Sequence, residues 1–245
     1  VDNSNYSSDD SGVLFNKDKT VLLQCPGGKQ GSFTIPDGVT QIGYHAFFGC
    51  VDLTSVTLPD SVTMIGSNAF EGCVGLILVT LPNSVTVIGS NAFEGCTGLN
   101  AVIIPESVTD IGYFVFNRDP QLTVYGDVGS FAETYAKENN IPFALYIKTT
   151  GVSLNKYSLA LPVGGSEALT ATVTPENAIN LVNWKSDDTK VALVDSSGKV
   201  TAVSPGTANI AVTTADGGKT AVCVVTVPEP AVSVTGVSLN KDTFE

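Results

Sequence analysis

The sequence predicts a mainly β molecule in two parts, a solenoid of 23-residue coils followed by a β-sandwich. Three observations carry this expectation. A 23-residue unit recurs between Ile35 and Tyr125, and the segment Ser130 to Phe143 then switches to helical spacing. From about Lys148 the chain turns to Val, Thr, Ala and Ser, with turn residues at intervals of roughly 8–12 positions.

The repeat is clearest in Leu58–Thr80 (LPDSVTMIGSNAFEGCVGLILVT) and Leu81–Ile103 (LPNSVTVIGSNAFEGCTGLNAVI). A looser copy spans Ile35–Thr57, and a decaying one starts at Ile104. Its anchors recur in step: Pro36, Pro59, Pro82 and Pro105; Ile42, Ile65, Ile88 and Ile111; Phe47, Phe70, Phe93 and Phe116. Self-similarity at this period is the mark of a leucine-rich-repeat coil, in which each unit buries its apolar face only by stacking on the next. Leu53, Val56 and Leu58 are expected to point inward from one strand, which Pro59 ends because proline donates no ladder hydrogen bond. Val62 to Ile65 reads as a second short strand and Gly66 as a tight corner. Ser67 to Phe70 is expected to form a helical turn that plants Phe70 in the core.

Residues 1–34 read as a degenerate first coil, with strands at Val13–Phe15 and Val21–Leu23 around an Asn-Lys-Asp-Lys turn. The start VDNSNYSSDD does not look like a natural N-terminus, so the array is expected to begin upstream. At the other end, Phe131, Tyr135 and Ala136 fall at helical spacing behind Ser130, which reads as an N-cap with Glu133 as its capping-box partner. Asn139-Asn140 stops this helix, which is expected to seal the last coil. The solenoid with its cap is therefore placed at 1–147.

The sandwich is placed at 148–228. Its expected strands are Glu167–Val173, Leu181–Lys185, Val191–Val194, Ala208–Thr213 and Ala221–Val227, with Trp184 as the core pin and Cys223 as a buried thiol. Thr150–Lys156 (TGVSLNK) recurs at Thr235–Lys241, so 229–245 reads as a linker and the opening of a second sandwich.

Charge narrows the function. The chain carries 24 acids and 12 bases, and residues 1–147 alone hold 15 and 5. Without a Lys/Arg stripe it lacks the footprint of nucleic-acid binding, and an anionic membrane surface would repel it. No apolar run approaches the length of a transmembrane helix. His45, the one histidine, stands at the position of Asn68 and Asn91 and reads as a surface corner residue. Asp187-Asp188 and Asp216-Gly217-Gly218 resemble metal ligands but lie in expected hairpin turns, where these residues serve the backbone. Glu71 and Glu94 are like charges on successive coils and read as a solvated face. Cys50, Cys73 and Cys96 recur at the coil period, about 4.8 Å apart if stacked, close enough to consider a disulfide. Strict repetition favours buried, reduced thiols, and the spacing zinc requires is missing. Neither a catalytic site, a cofactor nor a metal is expected, and a monomer is.

What remains is surface. The outward positions of the repeating strand are Ser32, Thr34, Ser55, Thr57, Leu78, Thr80, Ala101 and Ile103, a flat, neutral strip that becomes apolar toward Leu78 and Ile103. Solenoids bind partners on such a face. Threonine there also serves β-propensity alone, and both readings stand.

The unit xIPxxVTxIGxxAFxGCxxLxxV resembles the BspA-like (Treponema-type) leucine-rich repeats of bacterial surface proteins, and GDVGSFAETYAKENNIPF looks like the segment closing such arrays. VSLNKYSLALPVGGSEALTATVTP, WKSDDTKVALVD, GKVTAVSPGTANIAV and AVCVVTV are similar to the bacterial Ig-like group 2 domain. The resemblance implies a non-enzymatic, exported protein on the bacterial surface. It would act in adhesion to a host or neighbouring-cell protein or glycan, with the sandwich as a spacer. The alternative is a structural stalk that presents another domain.

Overall fold

The computed structural model describes residues 5–230 and Gly236. The chain divides into two compact units, Val1–Tyr146 and Ile147–Glu245. The repeated TGVSLNK at Thr235–Lys241, read as a second sandwich, lies outside the described residues apart from Gly236.

The first unit is a solenoid. Its strands are β1 (Tyr6–Ser8), β2 (Leu14–Asn16), β3 (Val21–Gln24), β4 (Gly31–Thr34), β5 (Gln41–Ile42), β6 (Leu53–Thr57) and β7 (Met64–Ile65). Then follow β8 (Leu78–Thr80), β9 (Val87–Ile88), β10 (Ala101–Ile103), β11 (Asp110–Ile111), β12 (Thr123–Gly126), helix α1 (Phe131–Glu138) and β13 (Phe143–Leu145). On one side the short strands stack in parallel, so that Ile42, Ile65, Ile88 and Ile111 are register partners one period apart. The opposite strands form two sheets, β4-β6 and β13-β12-β10-β8.

Gly66 follows its isoleucine for a steric reason. A Cβ there would lie 2.7 Å from Ile42 O and 2.9 Å from Gly43 C, so the coils pass too closely at this corner for any side chain.

The expected helical turn is absent. Asn68 has φ +57, and a left-handed residue cannot continue a right-handed helix. Instead Ala69 N–H donates to Gly66 O and Cys73 N–H to Phe70 O, both at turn spacing. The N–H of Phe70 donates to Ala92 O of the next coil at 2.7 Å, and that of Phe47 to Ala69 O at 2.7 Å. A third side of the solenoid is thus a hydrogen-bonded ladder built from turns.

Inside runs a column of rings. Phe47–Phe70, Phe70–Phe93 and Phe93–Phe116 stack at centroid distances of 4.8, 5.1 and 5.6 Å. Tyr135 of α1 closes the column edge-on against Phe116 at 6.1 Å. The cap therefore covers the ring the last coil leaves bare. Ser130 is the N-cap, and its Oγ accepts from Glu133 N–H. Glu133 reaches back one residue further than in a standard capping box, its carboxylate accepting from Gly129 N–H at 2.6 Å. Ala132, Tyr135 and Ala136 are the buried residues of the helix, whereas Phe131, expected inward, is exposed. The cap also adds β13 in parallel to β12.

The N-terminal segment differs from the expected coil. β1, β2 and β3 pair antiparallel, and only β3 joins the parallel stack, through β5. A hairpin, not a coil, forms this end because the Asn16–Lys19 turn is too short for a parallel return.

The second unit is a sandwich of β14 (Gly151–Leu154), β15 (Ser158–Ala160), β16 (Ser166–Ala168), β17 (Ala171–Thr174), β18 (Val182–Ser186), β19 (Ala192–Val194), β20 (Lys199–Ala202), β21 (Gly206–Thr214) and β22 (Thr220–Val227). Its largest sheet has the order β15-β22-β21-β18. The expected strand Glu167–Val173 is split: β16 pairs with β20 and β17 with β14. Leu169 sits between them, buried, with its N–H donated to Gly198 O, so the chain changes sheets there. The core centres on Ile210, Val212, Cys223 and Val225. Trp184 is half-buried at its border, lying over Gly198, rather than pinned at its centre.

Candidate functional site

The outward strip is only partly a surface. Ser32, Thr34, Ser55, Thr57 and Thr80 are exposed and Leu78 is half-buried, but Ala101 and Ile103 are 1% and 4% exposed. Each β10 residue has a register neighbour on both sides. Leu78 and Thr123 flank Ala101, and Thr80 and Tyr125 flank Ile103. Side chains of two strands thus compete for the space above β10, whereas β4 and β6 pair only with each other. The apolar end of the expected strip is closed, and its open part is the Ser/Thr-rich segment on β4 and β6 with Thr80.

The turn corner presents another surface. His45, Asn68, Asn91 and Phe114 have φ values of 55, 57, 59 and 58. Asn is a common occupant of this left-handed region, but a bulky aromatic is a costly one. Before them stand Tyr44, Ser67, Ser90 and Tyr113, and three residues after them Phe48, Glu71, Glu94 and Asn117. The two inner coils are thus polar at all three positions, whereas the first coil is aromatic at all three and the last at Tyr113 and Phe114. Tyr44 is 65% exposed, Phe48 55%, Tyr113 81% and Phe114 65%. His45 lies between Tyr44 and Phe48, at centroid distances of 3.8 and 5.0 Å, a corner residue as its register implied. In the inner coils Asn68 donates to Glu71 and Asn91 to Glu94. Glu94 also accepts from Asn117 at 2.8 Å. These amides, Asn91 first, hold its carboxyl below the usual carboxylate range.

The cysteine ladder is buried as expected, and its geometry is particular. Cys73 Sγ donates to Phe47 O at 3.0 Å and Cys96 Sγ to Phe70 O at 3.1 Å. All five cysteines are buried free thiols. Burial pushes Cys96 far above the ordinary thiol range, and Cys223 upward as well. One period past Cys96 the ladder position is Asp119, again three residues before an inward leucine, Leu122. Both its carboxylate oxygens are buried with no hydrogen-bond partner in the structure. Burial raises its pKa to about 7, a backbone contact with Cys96 offsets part of the rise, and Glu94 adds to it. Counting the ladder forward by 23 finds this residue in the sequence.

Asp119 also lines a cavity of about 360 Å³ between the last coil and the cap, with Phe116, Arg118, Tyr135 and Asn140. The Asp-rich turns of the sandwich have structural roles. Asp187 accepts from Asn209 through both backbone and amide, Asp188 from Lys190 N–H, and Asp216 from Thr149 N–H.

Comparison with known proteins fits this architecture. Residues 27–126 match the BspA type leucine rich repeat region in six copies, and residues 148–225 the bacterial Ig-like domain (group 2). An uncharacterized protein of Clostridium acetobutylicum is 40% identical over 109 residues, 44% of this chain and 11% of that protein. The lacto-N-biosidase of Bifidobacterium bifidum is 43% identical over 88 residues, 36% of this chain and 8% of that protein. The chain thus spans only a small part of these relatives. A leucine-rich repeat protein from Eubacterium ventriosum superposes with a TM-score of 0.46 at 31% identity, covering 51% of this chain and 34% of that one. Among the described residues no helix is long and apolar enough to cross a membrane. The chain is thus a BspA-type leucine-rich-repeat region over residues 27–126 joined to a group 2 bacterial Ig-like domain over residues 148–225.

Proposed function

We propose that this protein is a non-enzymatic binding module of the bacterial cell surface. In this reading it engages a protein or glycan of a host or neighbouring cell through the solenoid, with the Ig-like domain as a spacer. One observation carries the reading. A backbone hydrogen-bonded on three sides holds a periodic set of side chains in water, and large aromatics are among them. A solenoid is stiff because each coil is fixed by its neighbours, so its surface can meet a partner without first paying the entropy of ordering itself. The family supports a surface location, and membership implies no catalytic residues.

The test is a binding screen of the whole chain against extracellular-matrix proteins and soluble glycans. Thr57→Lys/Thr80→Lys would then probe the open strip. Ile103→Lys would not be a clean probe, because Ile103 is buried. Binding of a partner that a solenoid surface substitution abolishes is the expected result. A partner retained by every solenoid variant would move the function to the sandwich, and no partner at all would favour the stalk.

A further inference from the structure

We infer that the turn corner of the solenoid is a binding ridge for a neutral glycan chain, with Tyr44 and Phe48 at one end and Tyr113 and Phe114 at the other. This rests on the binding-module reading and assigns its surface and ligand class.

Neither folding nor packing explains the residues at the two ends. The inner coils show what the fold itself asks for: Ser67-Asn68 and Ser90-Asn91, with Glu71 and Glu94 three residues on. Asn is suited to the left-handed φ of this corner. Phe114 adopts the same φ of 58 with a bulky aromatic side chain and leaves 65% of its surface in water. Tyr113 before it is 81% exposed. Phe114 is thus strained and unburied, a combination that marks functional positions when the surrounding structure holds the residue in place. The corner is so held: Tyr113 O accepts from Asn91 N–H at 2.9 Å, Tyr113 N–H donates to Ser90 Oγ at 3.2 Å, and Phe114 O accepts from Asn117 N–H at 3.2 Å.

The arrangement selects the ligand. Three coil steps separate the aromatic ends, about 14 Å at the usual strand spacing. Between them Asn68, Glu71, Asn91 and Glu94 are partly exposed and held by their mutual hydrogen bonds. A protein interface commonly gathers its aromatics in a desolvated centre and puts polar groups at the rim. Here the order is reversed, with a polar middle and aromatic ends. An extended oligosaccharide matches that order, because each sugar has a flat C–H face to pack on a ring and a rim of hydroxyls for amides and carboxylates. With 15 acids against 5 bases in residues 1–147, the solenoid repels uronic or sialylated chains, so the glycan is neutral.

The chain supplies its own control substitutions. Tyr44→Ser/Tyr113→Ser installs the inner-coil residue at each end, and Phe114→Asn relieves the strained corner. The full chain would be titrated calorimetrically with hexamers of β-1,4-linked glucose, xylose and N-acetylglucosamine, with neutral lacto-series oligosaccharides, and with polygalacturonate as the acidic comparison. We expect a neutral oligomer to bind, polygalacturonate to fail, and Tyr44→Ser/Tyr113→Ser to weaken binding at least tenfold without lowering the melting temperature. Phe114→Asn should weaken binding while raising the melting temperature. Glycan binding that survives these changes but is lost in Thr57→Lys/Thr80→Lys would overturn the ridge and leave the binding-module reading standing. No neutral glycan bound, with matrix proteins captured through the ridge, would overturn the ligand class. No binding of either kind would overturn both readings.

Discussion

Coils Leu58–Thr80 and Leu81–Ile103 differ from the last coil, from Ile104, at several register positions, and four of the differences share a direction. Where the inner coils carry Ser, Asn, Gly and Cys, the last carries Tyr113, Phe114, Arg118 and Asp119. Each change strains the backbone, leaves an aromatic in water, or buries a carboxyl. An inner coil is stacked on both faces, so an error there is transmitted to two neighbours. The last coil meets α1 and a cavity on its far side. Tolerance in a solenoid thus depends on what lies beyond a coil: a helix and a cavity in place of a further coil accommodate Arg118 and Asp119, and Tyr113 and Phe114 stay free for a partner.

Moving the last coil's carboxyl inward should break the comparison most sharply. Cys73→Asp would bury an unpaired charge between two stacked coils in place of a thiol bonded to Phe47 O. We expect a loss of at least ~3 kcal/mol in urea unfolding, enough to threaten the whole array. A loss below about 1 kcal/mol would show that the inner coils tolerate what the last one does.

The second test is pH. Asp119 has a folded-state pKa raised to about 7, mainly by burial, above its ordinary value of 3.8. The folded protein therefore binds more protons than the unfolded chain between pH 4 and 7, and stability falls as pH rises through that window. Below pH 4 both states are protonated and this contribution levels off. The effect should be on the order of 2 kcal/mol, reduced from the full linkage value because the residue keeps partial exposure. Asp119→Asn should flatten the slope and stabilise the protein at pH 7. A slope unchanged in that variant would refute the assignment.

Cys73→Ala tests the ladder without charge. It removes one buried atom and should cost about 1–2 kcal/mol as a small cavity. In parallel, thiol titration of the unreduced wild type should give little reaction when native and five thiols once denatured. Fewer than five would reveal a disulfide.

The smallest effect concerns Arg118, whose φ of 67 matches the 66 to 73 of Gly49, Gly72 and Gly95 at the same register position. Arg118→Gly should gain about 0.5–1 kcal/mol from relieved strain. Its ion pair with Glu94, 3.8 Å long and exposed on the arginine side, offsets little of that. A melting temperature that falls would show that the pair outweighs the strain.

The coil is written in the repeat. A period of 23 fixes which residues are register partners, so the isoleucine stack, the phenylalanine column, the buried thiols and the Ser130-capped helix are all legible in it. Anything that repeats can be read in this way, because one local pattern is sampled several times. The rest depends on contacts between coils and between sheets. Ala101 and Ile103 alternate outward like Ser55 and Thr57, yet they are buried, because β10 has neighbours on both sides. Glu167–Val173 reads as one strand, yet Leu169 turns it between two sheets. Ser67–Phe70 carries a helical pattern, yet the N–H of Phe70 finds its acceptor in the next coil, 22 residues ahead, and not in its own turn. In each case the deciding partner lies on another coil or sheet, and local alternation carries no information about it.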